Sequence, residues 1–439
     1  MPSFQPFKIE VTPEYERAMQ ILKMGCPVVF ITGKAGTGKS TFIDYFRSTV
    51  LKRIAVVAPT GTAALNVGGQ TIHSFFRFPP RIIDKHEIER VYNAILYEKL
   101  EVLIIDEASM LRVDLLDSID QFLRLNSSEP KKPFGGVQIV LVGDLFQLPP
   151  VVPKDEMEIL ESKGYDTPYF LSAKCLRSSD MQFIELTKIY RQENRHFIEL
   201  LNNIREGLDT EETVREFNAK CFNPSPDDTN SEITLTCTNA KATAMNAIKL
   251  RQLDTKEHVY KGSIKGNFNI NTDKLPSPVE LKLKVGAQVM FTRNDSKLRW
   301  ANGSIGIIDR LDKDSIRVEV DGEVHEVEQV KWETIQYNYD KISDNIIADV
   351  NGEFKQYPLI LAWAITIHKS QGKTLRNICI DLGGGAFAYG QTYVALSRCP
   401  TIRDISLKRP LRAEDIQVDE EIVQIHNRLR NHSSSFQSS

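Results

Sequence analysis

The chain has 439 residues, of which 41% are hydrophobic and 26% charged, and its 55 Lys and Arg residues against 58 Asp and Glu residues give a net charge of −3. This composition excludes a disordered chain, and the length is enough for about three packed domains. Because the net charge is close to zero, any nucleic-acid site must be a local groove and not a generally basic surface. No apolar stretch approaches the roughly 18 residues that cross a membrane, and the N-terminus lacks the apolar run of a signal peptide, so we expect a soluble protein. The expected location is the cytoplasm, and a nuclear or mitochondrial location stays open. Six scattered cysteines without a CxxC pair predict reduced thiols instead of a disulfide framework or a zinc site.

The first third of the chain alternates predicted helices with short runs of β-branched residues. Helices are predicted at 14–24 and 39–50. The apolar runs lie at 27–32, 53–58, 102–105 and 137–142. Runs that are apolar throughout are typical of strands buried on both faces of a parallel sheet. The pattern predicts a doubly wound α/β domain.

A second set of strand candidates predicts another α/β unit, interrupted by a segment of different character. The candidates lie at 233–238, 359–367, 378–382 and 405–407. Asn239 is predicted as the N-cap of the helix that follows the first of them. In the interrupting segment, alternating apolar and charged residues lead into Asp321-Gly322, a strong hairpin turn. We predict a small antiparallel β-barrel insertion at 256–349 and a disordered, serine-rich tail at 432–439.

A phosphate-binding loop is predicted directly after the first strand. Residues 33–40 read GKAGTGKS, which fits GxxxxGK[ST], and they stand between a strand and a helix, as the motif requires. Glycines let successive backbone N–H groups face the phosphates, and the helix N-terminus adds a favourable dipole. Lys39 is predicted to bind the β- and γ-phosphates, and the Ser40 hydroxyl to bind Mg²⁺. The predicted nucleotide-binding residues are Gly33, Ala35, Gly36, Thr37, Gly38, Lys39, Ser40 and Thr41.

Two acidic residues follow the predicted strand at 102–105. Asp106 and Glu107 emerge at the carboxyl edge of the sheet, where ligands bind in open α/β sheets. Asp106 is predicted to hold Mg²⁺, and Glu107 to orient or deprotonate the attacking water. Gln147, three residues after Asp144 at the end of the next strand, offers an amide that can contact the γ-phosphate or that water. Together these residues predict hydrolysis of a nucleoside triphosphate with Mg²⁺.

Seven short motifs occur in order between Gly33 and Arg398: GKAGTGKST, APTGTAA, DEASM, VGDLFQLPP, IYRQ, TIHKSQG and YVALSR. The set resembles the ordered motifs of superfamily-one helicases, most closely those of the PIF-one family of DNA helicases, relatives of RecD. The resemblance implies two RecA-like P-loop domains that close on ATP at their interface. The first is expected at 1–175, with a small hairpin or wedge insertion at about 65–85. The second is expected at 176–255 and 350–431.

The resemblance also implies roles for residues of the second domain. Arg191 in IYRQ and Arg398 in YVALSR match the family's two arginines that neutralise charge on the γ-phosphoryl group. Gln371 and Gly372 in TIHKSQG are expected to approach the nucleotide from the same side.

The segment before the loop departs from the family pattern. In many relatives a glutamine upstream of the loop reads adenine, but Tyr15 stands at that position here. Gln20 lies one to two helical turns later and is a candidate substitute. Tyr15 either stacks on a base or is a core aromatic residue, so selectivity for ATP over other nucleotides stays open.

A single-stranded DNA track is predicted across the two domains. Small hydroxyl residues and backbone N–H groups can hold phosphates and sugars without reading the base sequence. The aromatic-basic cluster at 75–81 is predicted to provide platforms on which bases stack. At least one phenylalanine of this cluster is expected to anchor the loop in a core instead. The predicted contacts of the first domain are Pro59, Thr60, Gly61, Thr71, His73, Phe75 and Phe76. Those of the second domain, which the resemblance implies, are Thr366, His368, Lys369 and Ser370. For the basic stretch at 293–300 of the insertion, DNA contact and a solvated surface are both open.

The leading prediction is a DNA helicase driven by hydrolysis of Mg²⁺-ATP. ATP pulls the two domains together, hydrolysis releases them, and alternating grip moves the motor along single-stranded DNA to unwind duplex or quadruplex DNA. The resemblance implies 5′-to-3′ movement, and we expect a free monomer from a bacterial or phage source. Two alternatives stay open: a nucleotide-switch protein that single-stranded DNA does not stimulate, and an RNA motor, which only 2′-hydroxyl contacts would distinguish.

Overall fold

The computed structural model describes residues 10–222, 233–268 and 275–435. Its helices are α1 (Pro13–Lys23), α2 (Lys39–Thr49), α3 (Gly61–Asn66), α4 (Ile72–Phe76), α5 (Ile95–Lys99), α6 (Val113–Asn126), α7 (Lys154–Ser162), α8 (Arg195–Glu206), α9 (Thr210–Cys221), α10 (Asn239–Gln252), α11 (Ile367–Ser370), α12 (Gln391–Leu396) and α13 (Glu420–Ser435). Its strands are β1 (Val28–Gly33), β2 (Ile54–Ala58), β3 (Gln70–Thr71), β4 (Val102–Ile105), β5 (Gln138–Val142), β6 (Met181–Leu186), β7 (Ile233–Thr236), β8 (His258–Lys261), β9 (Ser263–Gly266), β10 (Glu280–Leu283), β11 (Gln288–Phe291), β12 (Ile305–Leu311), β13 (Ile316–Val320), β14 (Glu323–Val327), β15 (Val330–Asp340), β16 (Asn345–Gln356), β17 (Leu359–Leu361), β18 (Ala364–Thr366), β19 (Ile378–Asp381) and β20 (Ile405–Leu407). Within these ranges, no helix is both long and apolar enough to cross a membrane.

Six parallel strands form the sheet of the first domain. Their order is β3-β2-β4-β5-β1-β6, and every neighbouring pair is parallel. Along β1, Val28 and Phe30 belong to the core on the α6 side, whereas Val29 and Ile31 belong to the core that α1 and α2 cover. Burial on both faces explains why this strand reads as an uninterrupted apolar run. The predicted doubly wound α/β fold is confirmed.

The limits of the first domain differ from the prediction. β6 pairs with β1 along its whole length, so the predicted boundary at 175 is wrong and the first sheet continues to Leu186. The sequence of β6, MQFIEL, mixes polar with apolar residues because it is an edge strand with partly exposed positions. The segment at 65–85 is not a projecting hairpin or wedge either, because it supplies β3 to the sheet and α4 to the core of the domain.

The C-terminal helix returns to the first domain. α13 contributes Ile422 to the first-domain core. On β6, the carboxylate of Glu185 accepts a hydrogen bond from Arg430 Nε at 2.7 Å. The prediction that the second domain continues to residue 431 is therefore wrong, because the last helix packs on the first sheet.

The predicted disorder of the tail at 432–439 is wrong in part. α13 ends at Ser435, so residues 432–435 are helical. Residues 436–439 lie outside the described residues. All six cysteines fall in the described ranges, and the structure joins none of them in a disulfide.

Four parallel strands form the sheet of the second domain, in the order β18-β7-β19-β20. The strand predicted at 359–367 divides between two sheets, since β17 pairs antiparallel with β11 of the insertion and β18 pairs parallel with β7. The sequence hides this break because Ala362 and Trp363 continue the apolar run between the two strands. Thr238, not the predicted Asn239, is the N-cap of α10, and its hydroxyl accepts a hydrogen bond from the Lys241 N–H at 3.4 Å.

The strands that the structure describes in the insertion pair antiparallel and form three sheets, and the predicted β-barrel stays a prediction. Their orders are β14-β13-β12-β11-β17, β15-β16-β9 and β10-β8. The first and last of these share one core, which includes Leu281 of β10 and Val318 of β13. Asp321 and Gly322 have φ of +50° and +85°, the left-handed pair of a type I′ hairpin turn. The predicted end of the insertion at 349 is wrong, because β16 and β17 carry its sheets to Leu361.

The long β15–β16 hairpin of the insertion lies against the first domain. The Tyr337 hydroxyl accepts a hydrogen bond from the Val56 N–H at 3.1 Å, and the Tyr337 N–H donates to Gln70 Oε1 at 3.1 Å. β3 is so short that it pairs only with the last two residues of β2, so Tyr337 satisfies a buried N–H that the sheet leaves unpaired. At the rim, Arg53 and Asp344 form an ion pair at 3.3 Å.

Candidate nucleotide and nucleic-acid sites

The loop at 33–40 joins β1 to α2 through two left-handed glycines. Gly36 and Gly38 have φ of +80° and +84°, values that residues with a Cβ rarely adopt. A Cβ on Gly36 would lie 2.6 Å from the Cβ of Arg191, so this glycine also permits the close approach of the segment after β6. Gly38 is the N-cap of α2 and no side chain caps that helix, which leaves the first N–H groups of α2 available to an anion.

Lys39 folds back over the loop that precedes it. Its Nζ donates hydrogen bonds to the carbonyl oxygens of Gly33 at 2.7 Å and Lys34 at 3.0 Å. Burial lowers the pKa of Lys39, and the carboxylates of Asp144 and Glu107 oppose that shift. An anion in the loop would therefore meet a poorly hydrated ammonium group, for which a charged acceptor is a stronger partner than a carbonyl oxygen.

Asp106 and Glu107 form a buried carboxyl pair at the end of β4. Asp106 is 8% exposed. Glu107 has φ of +51°, a left-handed conformation that is strained for a residue with a side chain and is often found at functional sites. Burial raises the pKa of both carboxyl groups, and the charge of Asp106 raises the pKa of Glu107 further. A carboxyl group whose pKa is raised towards neutrality is well suited to accept a proton from water.

A side-chain amide of the second domain joins Glu107 to Gln147. Nε2 of Gln371 donates hydrogen bonds to Oε2 of Glu107 at 3.0 Å and to Oε1 of Gln147 at 3.2 Å. Because Gln371 follows α11 and the other two residues follow β4 and β5, these contacts cross the interface between the domains. The structure thus brings together three residues that were predicted from separate motifs, and Gly372 is exposed at the next position.

Arg191 and Arg398 lie next to each other at the same interface. Nη1 of Arg191 donates to the Ser397 carbonyl oxygen at 3.0 Å. Nε of Arg398 donates to the Val394 carbonyl oxygen at 2.7 Å, and its Nη1 donates to that of Ser370 at 3.3 Å. Burial lowers the pKa of Arg398 to about 9, and the positive charge of Arg191 acts in the same direction. Two crowded guanidinium groups are a favourable environment for a polyanion.

Two residues of the interface were missed by the sequence analysis. Arg205 of α8 is buried and forms an ion pair with Asp144 of the first domain, with Nη2 and Oδ1 2.9 Å apart. The Tyr393 hydroxyl of α12 accepts a hydrogen bond from the Ala35 N–H of the loop at 3.0 Å. A signal for Arg205 was present, because it lies four residues after Leu201 on the apolar face of α8, where a charge needs a partner. Tyr393 carried no signal, because a buried aromatic residue reads as core.

The structure distinguishes between the two interpretations of Tyr15. This residue is 2% exposed, lies 5.1 Å from Phe42 between ring centroids, and donates a hydrogen bond to the Gly38 carbonyl oxygen at 2.6 Å. Burial of this depth leaves no ring face open to a base, so Tyr15 is a core residue that supports the loop. Gln20 is exposed on α1, and no hydrogen bond connects its side chain with the loop in the described part of the chain.

Phe75 and Phe76 do not face a nucleic-acid track. They are 3% and 1% exposed, respectively. The ring centroid of Phe76 lies 5.4 Å from that of Phe78 and 5.2 Å from that of Phe122. The prediction that these two phenylalanines stack on DNA bases is wrong, because α4 directs both rings into the core of the first domain.

The threonines of the predicted track cap short helices. Thr60, Thr71 and Thr366 each accept a hydrogen bond from a backbone N–H at the start of α3, α4 and α11. Thr366 and Ser370 are 3% and 0% exposed, so the prediction that their side chains contact DNA is wrong in this structure. Partly or fully exposed, and still predicted to contact DNA, are Pro59, Thr60, Gly61, Thr71, His73, His368 and Lys369.

Oxygen atoms are the candidate metal ligands beside the loop. Among the residues that the structure describes, no cluster of three or more His, Cys, Asp or Glu side chains could hold a metal ion. The available donors are the exposed Ser40 hydroxyl in the first turn of α2 and the Asp106 carboxylate. So sparse a set of hard oxygen donors suits Mg²⁺, which takes water and phosphate oxygens as its other ligands.

Comparisons of sequence with known proteins agree with this geometry. The family model of PIF1-like helicase matches residues 15–215. The chain is 34% identical over 416 residues to the ATP-dependent DNA helicase Pif1 of Bdellovibrio bacteriovorus, and the match covers 91% of this chain and 88% of that protein. The chain spans 46% to 65% of the length of seven eukaryotic relatives, among them the ATP-dependent DNA helicase PIF1 of Homo sapiens.

Comparisons of structure extend the likeness to almost the whole chain. The crystal structure of a Bacteroides Pif1 in complex with ADP-AlF4 matches with a TM-score of 0.88 at 38% identity, over 97% of this chain and 98% of that chain. A Bacteroides Pif1 bound to single-stranded DNA matches over the same shares of the two chains, with a TM-score of 0.68 at 37% identity. The two parallel sheets are therefore two RecA-like domains, and the chain belongs to the PIF1-like helicase family.

Proposed function

We propose that this protein is an ATP-dependent DNA helicase that moves 5′-to-3′ on one strand and separates duplex DNA. The observation that carries the proposal is the contact of Gln371 with Glu107 and Gln147, because it gathers residues of both domains around one nucleotide loop. Hydrolysis of a nucleotide held between two domains changes the interactions that hold those domains together. The relatives' names, ATP-dependent DNA helicase, support DNA as the substrate, and the polarity rests on the family resemblance.

The proposed hydrolysis divides its tasks among five residues. Lys39 exchanges its carbonyl partners for β- and γ-phosphate oxygens, which form stronger, charge-assisted hydrogen bonds. Glu107 accepts the proton of the attacking water, and Gln147 orients that water. Arg191 and Arg398 neutralise the charge that develops on the transferred phosphoryl group. Because Arg398 belongs to the second domain, its engagement depends on how closely the domains approach.

Mg²⁺ fits the same site. Ser40 and Asp106 would hold the ion, which supplies positive charge to the phosphate oxygens. Burial raises the pKa of Asp106. A divalent cation beside this carboxyl group would oppose that shift, because it favours the ionised carboxylate. Removal of divalent cations with EDTA is expected to abolish hydrolysis.

The proposed DNA track uses the exposed members of the predicted set, which grip phosphates and sugars without reading sequence. Its residues are Pro59, Thr60, Gly61, Thr71 and His73 of the first domain and His368 and Lys369 of the second. The two Bacteroides structures match this chain at nearly equal identity and coverage, yet the TM-score is 0.88 with ADP-AlF4 and 0.68 with single-stranded DNA. That difference supports a mechanism in which strand binding rearranges the domains.

We further propose that the free protein is a monomer. We also propose that forked duplexes are among its substrates, since one matching Bacteroides structure concerns the unwinding of forked double-stranded DNA by two coordinating Pif1 helicases. A cytoplasmic location follows from this proposal for a bacterial or phage protein, because the DNA of a bacterial cell lies in that compartment. Light scattering of the DNA-free protein tests the monomer.

The experiment that tests the function is steady-state ATP hydrolysis with and without a single-stranded oligonucleotide. We expect the oligodeoxynucleotide to raise the rate at least tenfold and an RNA of the same sequence to raise it much less. The Lys39→Ala variant is the control for contaminating ATPases and should show no stimulated hydrolysis. A rate that DNA does not change would support a nucleotide switch and overturn the helicase, and equal stimulation by RNA would overturn DNA as the preferred track.

A further inference from the structure

The ion pair between Arg205 and Asp144 is the most deeply buried pair of opposite charges in the described part of the chain. Both side chains are 0% exposed. Nη2 and Nε of Arg205 donate to the same carboxylate oxygen, Oδ1 of Asp144, at 2.9 and 3.3 Å. The guanidinium also stacks on Phe146, with Cζ 3.9 Å from the ring centroid. Charges so far from water are costly to bury and persist only with accurate pairing.

The pair joins the two RecA-like domains. Asp144 follows β5 of the first sheet. Arg205 lies in the last turn of α8, and the residue before it, Ile204, belongs to the second-domain core. Although burial alone would raise the pKa of Asp144, the Arg205 guanidinium holds that pKa below its usual range. Asp144 is therefore a carboxylate that accepts hydrogen bonds and donates none.

The other oxygen of Asp144 contacts the hydrolytic residues. Oδ2 accepts a hydrogen bond from Nε2 of Gln147 at 3.3 Å. Since an ionised carboxylate only accepts, it requires the NH₂ group of this amide to face it, and the amide oxygen must then point the other way. That oxygen is the atom that accepts the hydrogen bond from Gln371, the residue that also binds Glu107.

A second arm of the network reaches the phosphate loop. The Tyr393 hydroxyl donates to Oδ2 of Asp144 at 3.4 Å and accepts from the Ala35 N–H at 3.0 Å. Tyr393 thus links the loop to the same carboxylate that orients the amide of Gln147 and that pairs with Arg205.

We propose that Arg205 is a positioning residue for ATP hydrolysis, which acts through Asp144 to fix the direction of the Gln147 amide and so couples the hydrolytic site to the second domain. This inference rests on the proposed function, since it assumes that the chain hydrolyses ATP. Arg205 does not touch the nucleotide in this account. Its removal should therefore slow the chemical step and leave the binding of ATP and DNA nearly unchanged.

The test compares three variants at saturating single-stranded DNA. Arg205→Met removes the cation but keeps much of the side-chain volume. Asp144→Asn replaces the carboxylate with an amide, which can both donate and accept and so pairs with either orientation of the Gln147 amide. The third variant combines both changes. We expect kcat to fall at least tenfold in each, with the KM for ATP within threefold of the wild type. Because the two residues act as a unit, the double variant should be no slower than the slower single variant.

Arg205→Lys and a matched ion pair separate positioning from stability. Arg205→Lys keeps the charge and should recover part of the lost kcat, which a purely structural role would not predict. Arg409 pairs with Asp415 at 2.7 Å inside the second domain, so Arg409→Met should lower the melting temperature but leave kcat per folded molecule within twofold. If Arg205→Met does not fold, the double variant, which leaves neither member of the pair charged, carries the test.

Two results overturn the inference while the proposed function stands. One is an Arg205→Met kcat within twofold of the wild type. The other is a loss of kcat per folded molecule no larger than that of Arg409→Met. A wild-type protein that does not hydrolyse ATP with DNA present would instead overturn the proposed function itself.

Discussion

Replacing Phe76 with alanine separates a packing role from a base-stacking role for the segment that includes α4. Phe76 is 1% exposed, and its ring lies 4.9 Å from Phe75, 5.2 Å from Phe122 and 5.4 Å from Phe78 between centroids. A buried phenylalanine removes roughly 150–250 Å² from water, which is worth about 4–6 kcal/mol at 25 cal/mol per Å². Alanine retains a small part of that area and the site relaxes in part, so we expect Phe76→Ala to lower the free energy of unfolding by about 3–5 kcal/mol.

The assay combines urea denaturation with DNA binding. Unfolding is followed by far-ultraviolet circular dichroism, and the affinity of the folded protein for a fluorescent single-stranded oligonucleotide is measured by anisotropy. We expect the unfolding midpoint to fall and the affinity to stay within twofold. Arg77→Ala, at the exposed neighbouring position, is the control and should change the free energy of unfolding by no more than about 0.5 kcal/mol. A Phe76→Ala protein of wild-type stability that binds DNA weakly would refute the burial argument.

Four single substitutions test other parts of the structure. Lys39→Ala should abolish hydrolysis of ATP measured by phosphate release, and normal unwinding by that variant would contradict the assignment of the phosphate loop. Arg398→Ala should reduce kcat far more than affinity for single-stranded DNA, and the opposite result in paired ATPase and anisotropy measurements would show that the residue is misplaced. Tyr337→Phe leaves the buried Val56 N–H without its acceptor and should cost about 1–3 kcal/mol in urea denaturation, whereas no change would mean that water replaces the hydroxyl. Burial lowers the pKa of Lys373 from 10.5 to about 8, so between these pH values the unfolded chain holds a proton that the folded chain has released, and stability should rise with pH by about 3 kcal/mol. The free energy of unfolding, measured from urea denaturation at several pH values, should rise more steeply with pH in the wild type than in Lys373→Met. An equal pH dependence in the two proteins would contradict the prediction.

Sequence patterns predicted the central strands of the first sheet better than its edge strands. β1, β2, β4 and β5 are buried on both faces, so every residue of these strands is under the same demand for apolar character. β6 and β3 lie at the edges of the first sheet, where one side of the strand has no partner and polar residues are tolerated. The break between β17 and β18 was hidden for a different reason, since both strands are apolar and only their partners differ.

The side chains of the candidate site could also be predicted only in part. The phosphate loop and the Asp106-Glu107 pair could be predicted because their chemistry depends on residues that are neighbours in sequence. The direction of Phe75 and Phe76 depends on where α4 packs, which composition does not determine. Arg205 could not be assigned a partner, because Asp144 lies 61 positions away and only the approach of the two domains brings the charges together.

The most direct test of the central claim is a strand-separation assay on duplexes with either a 5′ or a 3′ single-stranded overhang. The account predicts that Mg²⁺-ATP drives separation of the duplex with the 5′ overhang, that the duplex with the 3′ overhang stays paired, and that a non-hydrolysable ATP analogue supports neither reaction. Separation that proceeds equally well with the non-hydrolysable analogue would contradict the claim that hydrolysis between the two domains drives movement along the strand.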